Sequence, residues 1–152
     1  MPKPQSLTLR IIAILWIIWG LVHALAGTMV ISQETSGAIA AIADAVEPTL
    51  LAGEYHDAAG AVINQHGFNL LWIGLTTAIS AIFIWRDVAV AMFIAGLIGG
   101  LADIGYFLFL DLGGFVRFLP GTLMTLISGS AILLSLCIWS KSRLNPLRSQ
   151  RH

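Results

Sequence analysis

Residues 88–110 read VAVAMFIAGLIGGLADIGYFLFL, an apolar run broken by a single strong acid, Asp103. At ~1.5 Å of rise per residue, such a run crosses the roughly 30 Å hydrocarbon core of a bilayer as one helix. Gly96, Gly99, Gly100 and Asp103 recur at three- and four-residue spacing, so three positions without side chains and one carboxylate share a helical face. The spacing predicts that neighbouring helices close up around the acid. A lone aspartate in a membrane helix costs about 2.5–3.5 kcal/mol on insertion scales, so Asp103 is expected to face protein or trapped water and not lipid.

The rest of the chain has the same character. Of its 152 residues 57% are hydrophobic and only 11% are charged, against about 25% charged in an ordinary soluble domain. That balance excludes the soluble class and points to an integral membrane protein. Apolar runs at 11–31, 66–85 and 118–139 join 88–110 to make four spans, each near the ~20 residues that a crossing needs. The expected fold is therefore all-α, one domain over residues 1–152: a four-helix transmembrane bundle with a further amphipathic helix in its first loop. Cys137 is the one cysteine, which rules out an intrachain disulfide.

Net charge is zero, but the charges are unevenly placed. With the N-terminus in the cytoplasm, Lys3, Arg10, Arg86, Lys141, Arg143, Arg148 and Arg151 all fall inside, and Arg117 alone falls outside. Both termini are thus expected to be cytoplasmic, with residues 32–65 outside. The basic C-terminal tail reads as a topology anchor in contact with anionic lipid, and nucleic acid is not an expected partner. The opening of the chain also imitates a secretory signal, with Lys3 and Arg10, an apolar stretch and then Ala24-Leu25-Ala26. His23 interrupts that stretch and the apolar run continues through Val30 and Ile31, which favours an uncleaved first span.

In the first loop Ile39, Ile42, Ala43 and Val46 fall on one helical face, with Ser36 as N-cap and Pro48 as terminator. This predicts a short helix lying on the outer membrane surface. A second helical stretch is expected to start near Glu54 and run into the second span, with Gly60 and Gly67 as a place to bend. Arg86 and Asp87 form a tight turn that makes the second and third spans antiparallel neighbours. Residues 111–117 make the last turn, and Pro120 sits in the first turn of the fourth span, where its missing N–H does no harm.

Polar residues recur in stripes: Gly20, His23 and Gly27 on the first span; His66, Asn69, Thr76 and Ser80 on the second; Gly121, Thr125, Ser128 and Ser135 on the fourth. Small and weakly hydrogen-bonding stripes of this kind are what holds membrane helices together, at about 0.6 kcal/mol per contact. Depth adds information that stripes do not. His23 lies roughly 18–20 Å along its helix from the cytoplasmic end and Asp103 roughly 22 Å along its own, with His66 and Asn69 at a similar level. His23, His66 and Asp103 are accordingly the candidates for acid–base chemistry or proton relay. Asn69, Tyr106, Asp111 and Arg117 are candidate binding residues around the same outward-opening region. Imidazole and carboxylate also suit metals, yet no helix carries a close ligand pair, so neither a metal nor another cofactor is expected.

At Gly20-Leu21-Val22-His23 followed by Gly27, and again at Gly113-Gly114-Phe115 with Pro120 before the last apolar run, the chain resembles an uncharacterised family of small bacterial four-helix membrane proteins, a domain of unknown function. Its layout is also similar to that of DoxX-like proteins, without a motif that carries the name. The resemblance implies the four-span fold and a bacterial inner membrane; it carries no activity and no catalytic residues. The function expected is a binding or accessory subunit with a small polar pocket near the outer leaflet, holding a lipophilic small molecule or a partner membrane protein. An acid–base membrane enzyme and a proton-coupled transporter, the latter as a homo-oligomer, are the alternatives.

Overall fold

An apolar run in a bilayer has no water to satisfy its backbone, so it closes its hydrogen bonds within itself as a helix. The computed structural model describes residues 3–42, 49, 51, 53–116 and 118–144, and these form five helices and no strand. They are α1 (Lys3–Ile31), α2 (Thr35–Ile42), α3 (Asp57–Trp85), α4 (Ala89–Tyr106) and α5 (Leu123–Leu144). A wider π-type turn, Phe107–Asp111, prolongs α4. The chain enters α5 through Phe118–Thr122, where Leu119 is extended (φ −109°, ψ 130°) and Pro120 follows it. Four segments, Leu7–Ile31, Asp57–Trp85, Ala89–Asp111 and Phe118–Lys141, are long and apolar enough to cross a membrane.

The spans stand in a ring in the order α1, α3, α4, α5, each packed on its two neighbours. Large apolar side chains point outward from all four, among them Leu25, Ile79, Phe93, Phe109 and Leu133. An apolar surface this extensive is far beyond what a soluble monomer exposes, and hydrocarbon is the solvent that suits it. One end of the ring carries the α1–α3 and α4–α5 connections and is called the loop end here. The other carries the termini and the α3–α4 turn.

That turn is built from Arg86 and Asp87. The N–H of Asp87 bonds to the carbonyl of Ile84 at 3.0 Å and that of Val88 to Phe83 at 3.0 Å, the double closure of a helix whose next residue is left-handed. Asp87 takes that position at φ 64°, a conformation that short polar side chains tolerate better than branched ones. At the opposite end of α3, His56 Nδ1 accepts the N–H of Ala58 at 3.1 Å as an N-cap, and Asp57 places an acid in the first turn.

The closest helix pair is α1 with α3. Gly20 and Gly27 of α1 meet Gly74 and Gly67 of α3: a Cβ at Gly20 would lie 2.6 Å from the Gly74 carbonyl oxygen, and one at Gly27 would lie 2.5 Å from that of Gly67. Ala13 and Ala81 continue the same seven-residue steps and are fully buried. Near the terminal end, Arg10 lies over the Trp85 ring, 5.5 Å from its centroid. Gly60 and Gly67 are therefore not a bend. The helix runs through both, because their missing side chains are used to admit Thr35 and α1 respectively.

The glycine face of α4 works differently from the close backbone approach that its spacing predicts. A Cβ at Gly99 would lie 2.5 Å from the Trp16 ring, one at Gly100 would lie 2.9 Å from Ile132, and Gly96 has only Ile132 nearby at 3.9 Å. Side chains fill this face and backbones do not, because Trp16 and Trp19 of α1 reach across the ring and hold α4 at a distance. Both indoles are completely buried, with Ile12 and Ile84 beside them. This core occupies the terminal half of the bundle, which leaves the loop-end half less filled.

The first-loop helix starts one residue before the expected cap. Thr35 is already helical and the Glu34 carbonyl accepts the N–H of Ala38 at 2.7 Å. It packs on both α1 and α3, with Ala38 fully buried. Ala43, Val46 and Pro48 lie outside the described residues.

Candidate functional site

A tryptophan in the middle of a span brings an N–H for which lipid offers no acceptor, and the buried indole N–H of Trp16 has none among the described residues. Trp19 finds Asp103: its Nε1–H donates to Asp103 Oδ2 at 2.8 Å across the ring from α1 to α4. The carboxyl is 4% exposed, so this bond is made away from bulk solvent. A bond of this kind contributes about 1 kcal/mol net, and leaving the buried acceptor unpaired would cost more. Ser128 of α5 also stands within hydrogen-bonding reach of Asp103. Its one hydroxyl proton goes to the Thr125 carbonyl at 3.1 Å.

His23 lies one turn along α1 from Trp19. Its ring stacks on the indole with centroids 3.7 Å apart and planes 19° from parallel, while Trp16 meets Trp19 edge to face at 5.8 Å. His23 Nδ1 is 2.8 Å from the Trp19 carbonyl oxygen. A carbonyl can only accept, so Nδ1 carries a proton and Nε2 is the nitrogen left to face outward from α1. Nε2 stands 3.9 Å from Asp103 Oδ1, about 1 Å beyond a direct hydrogen bond.

Over this group, toward the loop end, opens a cavity of about 550 Å³. His23 and Asp103 form part of its wall, as do His66, Asn69 and Tyr106, so residues from three spans that the sequence singles out share one cavity. Most of the lining is nevertheless apolar: Ile73, Phe109, Leu110 and Met124 contribute to it, and Ile42 of α2 reaches it from the loop end. The expected polar pocket is thus an apolar cavity with polar groups in its wall, as the hydrocarbon-rich spans dictate.

The candidates are not equivalent within it. His66 is exposed and stands at the rim, one helix away from the Trp19–Asp103–His23 group. Asn69 accepts the indole N–H of Trp72 at 3.1 Å. Tyr106 is laid against Gly121 so closely that a Cβ there would collide with the phenol hydroxyl. Asp111 is not among the lining residues; its Oδ1 accepts the hydroxyl of Thr122 at 2.7 Å and so ties the end of α4 to the entry of α5. Arg117 lies outside the described residues. Among the described residues no three His, Cys, Asp or Glu side chains converge, so the ionisable centre of the site is the pair His23 and Asp103.

The chain matches no protein-family model, no curated protein and no solved structure.

What the site can do is therefore read from its own geometry. Sequence reasoning missed Trp19, the one direct partner of Asp103 that donates from an indole. A signal for it exists: Trp16, Trp19 and His23 follow at three- and four-residue steps on one face of α1. Tryptophans in membrane proteins gather at the interfaces, so two on the face of a histidine in mid-span single out that face, although only Trp19 of the two has an acceptor among the described residues.

Proposed function

We propose that the protein is a multi-pass inner-membrane binding protein with both termini in the cytoplasm, which holds a lipophilic small molecule in the outer-leaflet half of its bundle. The observation that carries this reading is the cavity of about 550 Å³, mostly apolar, with the Trp19–Asp103–His23 group in its wall. A few placed polar groups in an apolar concavity are the usual composition of a small-molecule site. Native mass spectrometry of the full chain released from mild detergent tests it. The wild-type protein is expected to retain a bound molecule, and filling the cavity with Ala26→Trp is expected to remove it. Equal retention in both would place the molecule elsewhere.

A second reading, acid–base catalysis on a lipophilic substrate, is favoured by one feature. His23 is oriented by its bond to the Trp19 carbonyl, with Nε2 turned toward a carboxyl, the arrangement of a base held in place by a third group. The same experiment separates the two. An enzyme lacking its acid, Asp103→Asn, retains substrate in place of product, a molecule that differs from the wild type's in mass or, for an isomerisation, in its fragmentation. A binding protein retains the same molecule.

A further inference from the structure

We infer that the cavity selects a neutral lipophilic alcohol, whose hydroxyl oxygen bridges His23 Nε2 and Asp103 Oδ1. The inference deepens the binding reading above and rests on it.

Two bonds restrict what the pair can offer, the Ser128 hydroxyl having its proton on the Thr125 carbonyl and none to give Asp103. Asp103 Oδ2 is occupied by the indole N–H of Trp19, so any proton held by the carboxyl sits on Oδ1. His23 Nδ1–H is occupied by the Trp19 carbonyl, so Nε2 is the nitrogen that varies. Oδ1 and Nε2 face each other across 3.9 Å, too far to bond directly. An oxygen placed about 2.8 Å from each would see them roughly 90° apart, an angle that lets one O–H point at one partner while a lone pair meets the other. One atom fits that gap.

The number of protons on the pair decides what that atom must be. With none, the pair is a bare anion with two acceptors and selects an ammonium group. With two, it is a cation with two donors and selects a carboxylate. With one, it is neutral overall and offers one donor and one acceptor, whichever of the two holds the proton. A net charge here would be expensive, because Asp103 is buried, its surroundings are largely apolar, and no lysine or arginine is among the described residues lining the cavity. The one-proton state avoids that cost, and its complement is a hydroxyl. The rest of the molecule is apolar, to match Ile73, Phe109, Leu110 and Met124.

The test uses four probes with one chain length: decanol, decylamine, decanoic acid and decane, offered as an equimolar mixture to the detergent-washed full-length protein and read by native mass spectrometry. Decanol is expected to be retained at least tenfold over each of the other three. His23→Phe keeps a ring to stack on Trp19 but removes both nitrogens, and is expected to weaken the preference for decanol over decane severalfold, leaving only the Asp103 Oδ1 contact. Asp103→Asn supplies a carbonyl for Trp19 and an N–H for the gap, as the neutral acid does, and is expected to keep it. Preferred retention of decylamine or decanoic acid, or equal retention of all four, overturns the alcohol assignment and leaves the cavity as a lipophile site. Retention of none overturns the binding reading itself. The wild-type comparison decides the matter even where a variant fails to fold.

Discussion

At the scale of single residues, Asp103 is tolerable inside the bundle because Trp19 donates to it. Replacing the indole by Trp19→Phe leaves a buried acceptor unmatched, which costs about 1–3 kcal/mol for a neutral group and more for a charged one. Asp103→Asn keeps an oxygen for Trp19 and is expected to fold with a smaller loss, whereas Asp103→Lys buries an ammonium against the Trp19 N–H and is expected not to fold. SDS unfolding titrations from mild detergent measure all three. Trp19→Phe with Asp103→Leu should lose less than the sum of the single losses, since either change already breaks the bond. Strict additivity would mean that the 2.8 Å contact contributes nothing. Asp103 and His23 were legible because they break an apolar run. Trp19 was not, because an indole counts as apolar in any hydropathy reading and its acceptor lies 84 positions away in the chain.

At the scale of helices, glycine does two jobs that one sequence pattern cannot tell apart. Gly27 touches the backbone of α3, with a Cβ there only 2.5 Å from both the Gly67 oxygen and the Leu71 nitrogen, and no rotamer change relieves such a clash. Gly105 has nothing within 4 Å of the equivalent point. Gly27→Ala is therefore expected to destabilise by about 1–3 kcal/mol or to drive α1 and α3 apart. Gly105→Ala should be neutral or stabilising by up to roughly 1 kcal/mol, the helix-propensity gain of alanine over glycine. Equal effects at the two sites in the same SDS titration would deny the close α1–α3 seam. The four spans were legible because each is a continuous apolar run, and the Arg86–Asp87 turn because so short a connection leaves no choice of neighbour. Which glycines form the seam was not legible. The denser set, Gly96, Gly99 and Gly100, invites close approach by any neighbour, and whether a backbone or an indole accepts the invitation depends on where Trp16 reaches from α1.

At the scale of the molecule, the fold divides its ionisable groups between its ends. Arg10, Arg86 and Lys141 belong to the terminal end, with Asp87 the one described acid there, while Glu34, Glu54, Asp57 and Asp111 belong to the loop end, where the cavity also opens. Basic residues resist translocation far more than acidic ones do, so the division predicts an orientation as well as a polarity. With the terminal end in the cytoplasm, the cavity lies in the outer leaflet; turned over, it would lie in the inner one. Alkaline phosphatase, which is active only outside the cytoplasm, reports the difference. Fused at Gly53 it should be active, and fused after Lys141 it should be silent. The reverse pattern would turn the cavity to the cytoplasmic leaflet and change the pool from which the proposed ligand would come. Comparable activity at both sites would mean insertion in both directions, which Lys3, Arg10, Arg86 and the basic tail together argue against, because inverting the bundle carries all of them across the membrane and retains only Arg117.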